Sequence, residues 1–186
     1  MTITPFDFDI NWLLSLNFDG GQFFDQLNYV FSARLTWVSL YVGVLWWVAS
    51  TQSLQEALIF LGVTVLMILF ADQTCNLLKI FLPKLRPSHN PDLVDQLHIV
   101  NDYRGGLYGT ASSHAANSLV FAILSLMVIQ NKTYTTLIII WTTLICYSRL
   151  YLGVHYPVDV LLGLLIGGLW GVAGWQMYRH FRTKLS

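Results

Sequence analysis

Residues 134–178 read YTTLIIIWTTLICYSRLYLGVHYPVDVLLGLLIGGLWGVAGWQMY, which is two apolar runs joined by a short connection. A helix needs about 20 mostly apolar residues to cross a bilayer, and both runs have roughly that length. The connection nevertheless carries Arg149, His155 and Asp159. Ionisable groups are costly to place in so apolar a setting and therefore need a functional reason. The pattern predicts two membrane helices with a functional site where they join.

The composition of the whole chain is that of a membrane protein. The 186 residues are 55% hydrophobic and 11% charged, whereas a soluble domain usually carries about 25% charged residues. The length suits one domain over residues 1–186, and the oligomeric state stays open. Because the formal net charge is zero, no basic surface and no nucleic-acid partner are expected.

Five segments are long and apolar enough to be predicted as transmembrane helices. They cover residues 35–50, with a start near Phe24, and residues 54–82, 113–129, 134–151 and 157–178. Residues 10–16 fit either a short amphipathic helix on the membrane surface or an unstructured tail. The loop after residue 82 contains three prolines and a Gly-Gly pair, which argues against a continuous helix there. We therefore expect an all-α, integral membrane helical bundle of five to six transmembrane or interfacial helices.

The order of the segments brings three polar stretches to one membrane surface. These are residues 79–87, 111–114 and 148–159, and each lies at an end of a predicted span. The C-terminal tail, with Arg179, Arg182 and Lys184, lies on the opposite face. The positive-inside rule places this tail in the cytoplasm and the three polar stretches outside.

Three cations belong to these stretches. Lys79 lies in the last turns of the second segment, Arg86 follows it in the loop, and Arg149 closes the fourth segment. Three converging cations without matching carboxylates favour an anionic ligand, because Arg offers phosphate a planar fork and Lys a point charge. The alternative for any one of them is snorkelling to lipid headgroups.

The tetrapeptide Ala111-Ser112-Ser113-His114 precedes an apolar run. Serine is a favoured N-cap residue, so the third helix is predicted to begin here. Free backbone N–H groups at a helix start bind phosphate, and His114 falls in the first turn facing the same place. A capping or interfacial histidine is the alternative for His114.

His155 and Asp159 flank the start of the fifth segment. Pro157 suits the first position of a helix, which places Asp159 in the first turn and His155 just before it. Asp159 is then expected to hold one imidazole nitrogen and leave the other free to attack, as in a catalytic triad with histidine as the nucleophile. The alternative is that Asp159 only caps the helix.

Together these residues resemble the motifs of the type 2 phosphatidic acid phosphatase superfamily, K-x6-RP, PSGH and SR-x5-H-x3-D. The first and third motifs match at every fixed position, namely Lys79, Arg86 and Pro87, and then Ser148, Arg149, His155 and Asp159. The second motif departs from the pattern, because Ala111 replaces Pro and Ser113 replaces Gly. Ser113 retains the backbone N–H but adds a side chain beside the phosphate.

The resemblance implies a role for each matching residue. Lys79, Arg86, Arg149, Ser112 and the backbone N–H of Ser113 would bind phosphate. His155 would attack phosphorus to form a phosphohistidine, and Asp159 would orient it. His114 would protonate the leaving oxygen and then activate water. No metal and no cofactor are implied.

The implied function is hydrolysis of a lipid phosphomonoester or pyrophosphate by a bacterial inner-membrane enzyme whose active site faces the periplasm or exterior. Members of the family act on undecaprenyl pyrophosphate, phosphatidylglycerophosphate, phosphatidic acid or lipid A, so a lipid of this class and the bilayer are the expected partners. The alternatives are a phosphotransferase that uses the same phosphohistidine and a non-catalytic lipid-phosphate-binding protein.

Several features outside these motifs allow two readings. Asp72 and Asn76 share a helical face with Lys79 and either line the lipid site or form a structural hydrogen bond. Four glycines, Gly163, Gly167, Gly171 and Gly174, are expected to pack inside the bundle rather than in a dimer.

Loop residues give weaker signals. His89 and His98 are expected in a solvated loop, since their spacing matches no metal site. Tyr103, Arg104 and Tyr108 are candidates for contact with a lipid headgroup.

Overall fold

The structure is a computed structural model that describes residues 5–185, with side-chain surroundings for residues 8–33 and 35–184. The described chain forms seven α-helices and no strand, so the predicted all-α bundle is confirmed. The helices are α1 (Pro5–Leu16), α2 (Gln22–Ser32), α3 (Val38–Thr51), α4 (Leu54–Phe81), α5 (Ser113–Ile129), α6 (Lys132–Tyr151) and α7 (Pro157–Leu185).

Two of the described helices, α4 and α7, are by themselves long and apolar enough to cross a membrane. A third span results if α2 and α3 count as one bent element, and α5 is a shorter apolar helix. Each of the five predicted segments is helical, with the start of α5 at the predicted serine. The chain is therefore an integral membrane protein.

The first predicted segment differs from the structure. Instead of one helix from near Phe24, α2 and the stretch Leu35–Thr51 meet at an angle of 76°. The break lies at Ala33, whose extended backbone (φ −78°, ψ 130°) ends α2 before a single 3₁₀ turn leads into α3. Because neither proline nor glycine marks this break, the sequence pattern did not indicate it. The bend turns α2 toward the polar end of the bundle.

The glycines of α7 let it pack closely on α5 and α4. A Cβ at Gly163 would clash with the carbonyl oxygen of Ser112, and one at Gly167 with that of Ala116. A Cβ at Gly174 would lie 2.6 Å from Cγ of Met67 on α4. The predicted packing of this glycine stripe inside the bundle is therefore confirmed.

Residues 82–112 form the loop above the bundle, with three short 3₁₀ turns at Pro87–His89, Val94–Gln96 and Val100–Asp102. Its two ends are held together by an antiparallel bridge between Leu85 and Tyr108. The Arg86 N–H donates to the Leu107 carbonyl at 3.1 Å. This pairing fixes Arg86 beside the start of α5.

The N-terminal segment is helical, so of the two readings of residues 10–16 the helix is correct. Leu13 is fully buried and packs with Leu93 of the loop and Tyr156. Asp9, on the same helix, is 4% exposed. The helix α1 therefore covers the start of α7 at the polar end of the bundle.

Candidate active site

Lys79 lies in the last turn of α4 and points across to α5. Its Nζ donates to Oγ of Ser113 at 3.0 Å and to Oδ1 of Asn76 at 3.3 Å. Asn76 in turn donates to Oδ2 of Asp72 at 3.0 Å. Asp72, Asn76 and Lys79 thus share one face of α4, as predicted, and are joined by hydrogen bonds. This row runs from Lys79, a candidate for phosphate binding, toward the interior of the bundle.

Arg86 is held by the loop in a single orientation. Its Nε donates to the carbonyl of Tyr108 at 3.1 Å, and Nη1 donates to the carbonyl of Val154 at 3.2 Å. Nη1 also lies 3.2 Å from Nε2 of His155. Burial, followed by the positive charge of Arg149, lowers the pKa of Arg86 to about 10. A guanidinium in this environment remains charged at neutral pH and attracts an anion.

Arg149 is 1% exposed at the end of α6. Its Nη1 donates to Oγ of Ser32 on α2, and its Nη2 donates to the hydroxyl of Tyr103 at 3.2 Å. The bend between α2 and α3 makes the first contact possible. Tyr103, which the sequence proposed for a headgroup, therefore contacts a cation of the site.

His155 follows the turn that ends α6. Gly153 has φ +64°, a left-handed conformation that favours glycine, and its N–H bonds to the carbonyl of Leu150. This turn directs His155 inward, where it is 1% exposed. The imidazole is therefore positioned by backbone geometry before any ligand binds.

The neighbours of His155 define its tautomer. Nε2 faces the guanidinium of Arg86, which can only donate, so Nε2 carries the lone pair. Nδ1 then carries the proton and donates to the carbonyl of Gly109 at 3.0 Å. A Cβ at Gly109 would lie 2.7 Å from Cγ of Arg86 and 3.4 Å from this Nδ1, so glycine permits the close approach.

The surroundings of His155 favour its neutral form. Burial, followed by the positive charges of Arg86 and Arg149, lowers the pKa of His155 well below its usual value. The imidazole is therefore neutral at pH 7, with an available lone pair on Nε2.

Asp159 is placed differently from the expectation. Its Oδ2 lies 3.6 Å from Nδ1 of His155, beyond hydrogen-bond distance, and accepts from the N–H of Tyr156 at 2.9 Å. Its Oδ1 lies 3.0 Å from Nζ of Lys84. The carboxylate thus supplies a negative charge next to the imidazole, while the Gly109 carbonyl accepts the hydrogen bond from Nδ1–H.

Ser112 forms the predicted N-cap, since its Oγ accepts from the N–H of Ala115 at 3.4 Å. Its own N–H donates to the carbonyl of Asp159 at 2.9 Å, which joins the starts of α5 and α7. Ser112 is fully buried. Ser112 therefore positions the starts of α5 and α7. The next two residues, Ser113 and His114, are only partly buried.

A cavity of about 500 Å³ begins at Ser113 and His114 and extends between α3, α4 and α5. Asp72 and Asn117 line its polar end. Its other walls are mostly apolar and include Trp37, Tyr41, Leu45, Phe60, Ile68 and Phe121. A site that continues into such a cavity suits a ligand with a polar head and an apolar tail.

Sequence reasoning missed two residues of this region. Lys84 lies within the first motif but not at one of its fixed positions, although a third cation at residues 79–86 was a usable signal. Asp9 contacts Lys84 at 3.3 Å from 75 residues away, and no local pattern could have identified it.

His98 was expected in a solvated loop, but the structure pairs it with a carboxylate. Its Nε2 lies 2.8 Å from Oδ1 of Asp25, because α2 brings that carboxylate to the loop. Among the residues that the structure describes, Asp19, Asp25 and His98 are the one group whose ligand atoms lie within metal-binding range, all within 4.8 Å. The pairing of Asp25 with His98 and with the Tyr151 hydroxyl accounts for this group without a metal.

Cations and histidines lie at the ends of membrane helices, beside an apolar cavity, which is the arrangement expected of a membrane lipid phosphatase. The chain belongs to the PAP2 superfamily, whose pattern matches residues 56–182. It is therefore an integral-membrane phosphatase that acts on a lipid phosphate, in a family of metal-independent phosphomonoesterases.

Two curated relatives span nearly the whole chain. The lipid A 4′-phosphatase of Porphyromonas gingivalis is 34% identical over 175 residues, which are 94% of this chain and 74% of that protein. The lipid A 4′-phosphatase of Bacteroides thetaiotaomicron is 37% identical over 175 residues, 92% of this chain and 76% of that protein.

Two crystal structures share the fold. Aquifex aeolicus LpxE superposes with a TM-score of 0.73 at 20% identity, covering 95% of this chain and 99% of that one. A PAP2-type phosphatidylglycerolphosphate phosphatase from Bacillus subtilis gives a TM-score of 0.67 at 17% identity, covering 96% and 86%.

Proposed function

We propose that this protein removes the 4′-phosphate of lipid A through a phosphohistidine intermediate. Both relatives described above carry that activity in their names and align with more than nine-tenths of this chain. The geometric observation that carries the proposal is the cavity of about 500 Å³, which begins at His114 and at Ser113, the partner of Lys79, and continues into an apolar space between α3, α4 and α5. A phosphate on an acylated lipid fits that combination.

Phosphate binding falls to Lys79, Arg86, Arg149 and the N–H of Ser113. Lys79 and Arg149 reach the site from the ends of α4 and α6, and Arg86 from the loop. The N–H of Ser113 is the first of α5, where the helix dipole favours an anion. These donors would stabilise the negative charge of the five-coordinate transition state.

His155 is the proposed nucleophile. Nε2 carries the lone pair and lies 3.2 Å from Nη1 of Arg86. A phosphate bound to Arg86 therefore lies next to the attacking nitrogen. In the first step a bond forms between Nε2 and phosphorus, and the bond from phosphorus to the lipid oxygen breaks.

His114 is the proposed general acid and base. It gives its proton to the departing lipid oxygen, which leaves as a hydroxyl group. His114 then takes a proton from water as the water oxygen attacks phosphorus. The bond between phosphorus and Nε2 breaks, and inorganic phosphate leaves with His155 in its original form.

The site faces the periplasm in this proposal. The basic tail with Arg179, Arg182 and Lys184 lies at the far end of α7 from Asp159. The positive-inside rule keeps such a tail in the cytoplasm. The polar loop and the site then lie at the outer surface of the inner membrane.

The test is phosphate release by the detergent-purified protein from a panel of lipids. The panel contains bisphosphorylated lipid A, its separate 1-phosphate and 4′-phosphate forms, phosphatidic acid and undecaprenyl pyrophosphate. We expect the 4′-phosphate to be released preferentially, with no added acceptor. His155→Ala should be inactive, whereas His180→Ala, in the exposed tail, should match the unaltered protein.

Each alternative result has a distinct meaning. Release only from glycerolipid or isoprenoid phosphates would overturn the lipid A proposal and leave the class unchanged. Full activity of His155→Ala would overturn the phosphohistidine mechanism. Orthovanadate should inhibit, because its five-coordinate form resembles the transition state.

A further inference from the structure

Lys84 is a cation of the active-site region that the family motifs do not include. Its Nζ lies 3.0 Å from Oδ1 of Asp159 and 3.3 Å from Oδ2 of Asp9. It also lies 4.0 Å from the centre of the Tyr156 ring. The ammonium thus sits between two carboxylates and an aromatic face, which together restrict it to one position.

Asp159 depends on its partners because it is 1% exposed. A buried carboxylate is costly unless it is paired and hydrogen-bonded. Its Oδ2 accepts from the N–H of Tyr156, and its Oδ1 is paired with Lys84. Lys84 is therefore the cation that neutralises this carboxylate at a separation of 3.0 Å.

Asp9 ties this pair to the start of α7. Its Oδ1 accepts from the N–H of Val158 at 3.0 Å, while its Oδ2 contacts Lys84. Val158 is the second residue of α7, so Asp9 satisfies a helix N–H that has no partner within the helix. The N-terminal helix α1 thus contributes directly to the position of Lys84.

We propose that Lys84, held by Asp9, is a positioning residue for Asp159 and through it for His155. The proposal rests on the catalytic role proposed above for His155. Oδ2 of Asp159 lies 3.6 Å from Nδ1 of His155, close enough to stabilise the positive charge that the imidazole acquires when Nε2 bonds to phosphorus. Lys84 fixes the carboxylate at this distance by occupying the other oxygen.

The charges around His155 explain why Asp159 and its partner Lys84 would matter for the reaction. Lys79, Arg86 and Arg149 all oppose a positive charge on the imidazole, and Asp159 is the carboxylate beside it. Asp159 needs a fixed position because it must offset this repulsion in the intermediate without binding phosphate. Loss of Lys84 should therefore lower the rate of the chemical step more than it weakens substrate binding.

A merely structural role for Lys84 makes different predictions. In that case Lys84 would only dock α1, and its removal would lower stability or raise KM. The effect on kcat would then be the same whether or not residue 159 carries a charge.

The experiment is a double-mutant cycle on the full chain in detergent. Lys84→Met is measured alone and together with Asp159→Asn, using hydrolysis of a lipid phosphate that the unaltered protein accepts. We expect Lys84→Met to lower kcat by roughly 10²-fold with a small change in KM, since slight misplacement of reacting groups has such effects. In the Asp159→Asn background the same substitution should change kcat by less than about threefold, because coupled residues are not additive.

Two further variants complete the test. Lys84→Arg should recover most of the lost kcat, because it restores the cation beside Asp159. Lys132→Met, at an exposed lysine at the start of α6, is the matched control and should leave kcat unchanged. Thermal unfolding of each variant confirms that it is folded.

The results separate this proposal from the proposed function. An inactive His155→Ala together with unaltered kcat in Lys84→Met would overturn the role of Lys84 alone. Equal loss of kcat by Lys84→Met in both backgrounds would also overturn it, in favour of a structural role. An active His155→Ala would instead overturn the mechanism on which the proposal rests.

Discussion

Nη1 of Arg86 lies 3.2 Å from Nε2 of His155, so a cation that would bind the phosphate touches the nitrogen that would attack it. The two residues come from different parts of the chain, the loop after α4 and the turn before α7. The bridge between Leu85 and Tyr108 holds Arg86 in place. The contact between Arg86 and His155 therefore serves both to attract the anion and to position the nucleophile.

Arg86→Lys should lower kcat by about 10²–10³-fold, the usual cost of losing one such donor. Lysine keeps the charge but has no planar fork, so it cannot contact Val154, His155 and a phosphate oxygen together. Steady-state kinetics with a lipid phosphate measure the loss. The control is Arg104→Lys in the same loop, which exchanges a half-exposed arginine paired with Asp102. Equal activity of both variants would mean that the fork of Arg86 is not used.

Hydropathy and helix-capping signals predicted much of this fold. The starts of α5 and α7 follow from Ser112 and Pro157, whose effects are local. The break at Ala33 was missed because it has no local breaker and coincides with a long-range contact from Ser32 to Arg149. Long-range contacts of that kind do not change the hydrophobic periodicity of the sequence, so the sequence does not predict them.

The site was predicted to a similar extent. Motif spacing singled out the cations and histidines as candidates because the proposed chemistry requires fixed residue types. The Gly109 carbonyl and Asp9 were not found, since a backbone acceptor has no signature and Asp9 lies 75 residues from Lys84. The interaction of Asp159 with Lys84 also depends on the loop conformation, which proline and glycine signals mark only as irregular.

The His155 imidazole should remain neutral at pH 6.5, where a free histidine is about half protonated. Burial and the charges of Arg86 and Arg149 lower its pKa, so it gains a proton only at more acidic pH. NMR of histidine-labelled protein, with the signal assigned by its loss in His155→Ala, measures this titration. Because the folded-state pKa is lowered, the neutral imidazole supports folding above about pH 6.5, and this support is lost as pH falls toward the folded-state pKa.

Two results check the cause of this shift. Bound sulfate, an anion that forms no bond to Nε2, should raise the pKa of His155, because it offsets the charges of Arg86 and Arg149. A midpoint at or above pH 6.5 without ligand would contradict the proposed electrostatic environment.

Ser113 allows the backbone N–H of α5 to be tested separately from the side chain. Ser113→Gly keeps the N–H and restores the family residue, so kcat should stay within about tenfold, well short of the loss of a transition-state donor. Ser113→Pro removes the N–H at the first helical position, where proline is tolerated. Ser112 precedes it with an extended backbone (φ −83°, ψ 105°) that suits a following proline. We expect Ser113→Pro to lose about 10²-fold in kcat while unfolding at a similar temperature. Comparable kinetics for the two variants would exclude this N–H as a phosphate donor.

Gly167 and its neighbour Gly168 form a matched pair for the packing of α7. A Cβ at Gly167 would lie 2.9 Å from Cα of Ala116, whereas one at Gly168 meets only Cδ2 of Leu119 at 4.0 Å. Gly167→Ala should therefore destabilise the protein by about 1–3 kcal/mol. Gly168→Ala should be neutral or stabilising by up to about 1 kcal/mol, since alanine is the better helix former. Thermal unfolding in detergent compares the two, and equal midpoints would show that α5 and α7 are not closely packed here.

The cavity below His114 should decide which substrates bind well. Ile68 on α4 lines it, so Ile68→Trp should fill part of the 500 Å³ and exclude an acyl chain. We expect KM for a long-chain lipid phosphate to rise at least about tenfold, which corresponds to about 1.4 kcal/mol of lost binding. Hydrolysis of a short, water-soluble phosphomonoester should be unchanged, because the phosphate site is intact. Leu77→Trp places the same bulk on the exposed face of α4 and should leave both substrates unaffected. A parallel loss on the two substrates in Ile68→Trp would show instead that the cavity supports the catalytic residues rather than the lipid chain.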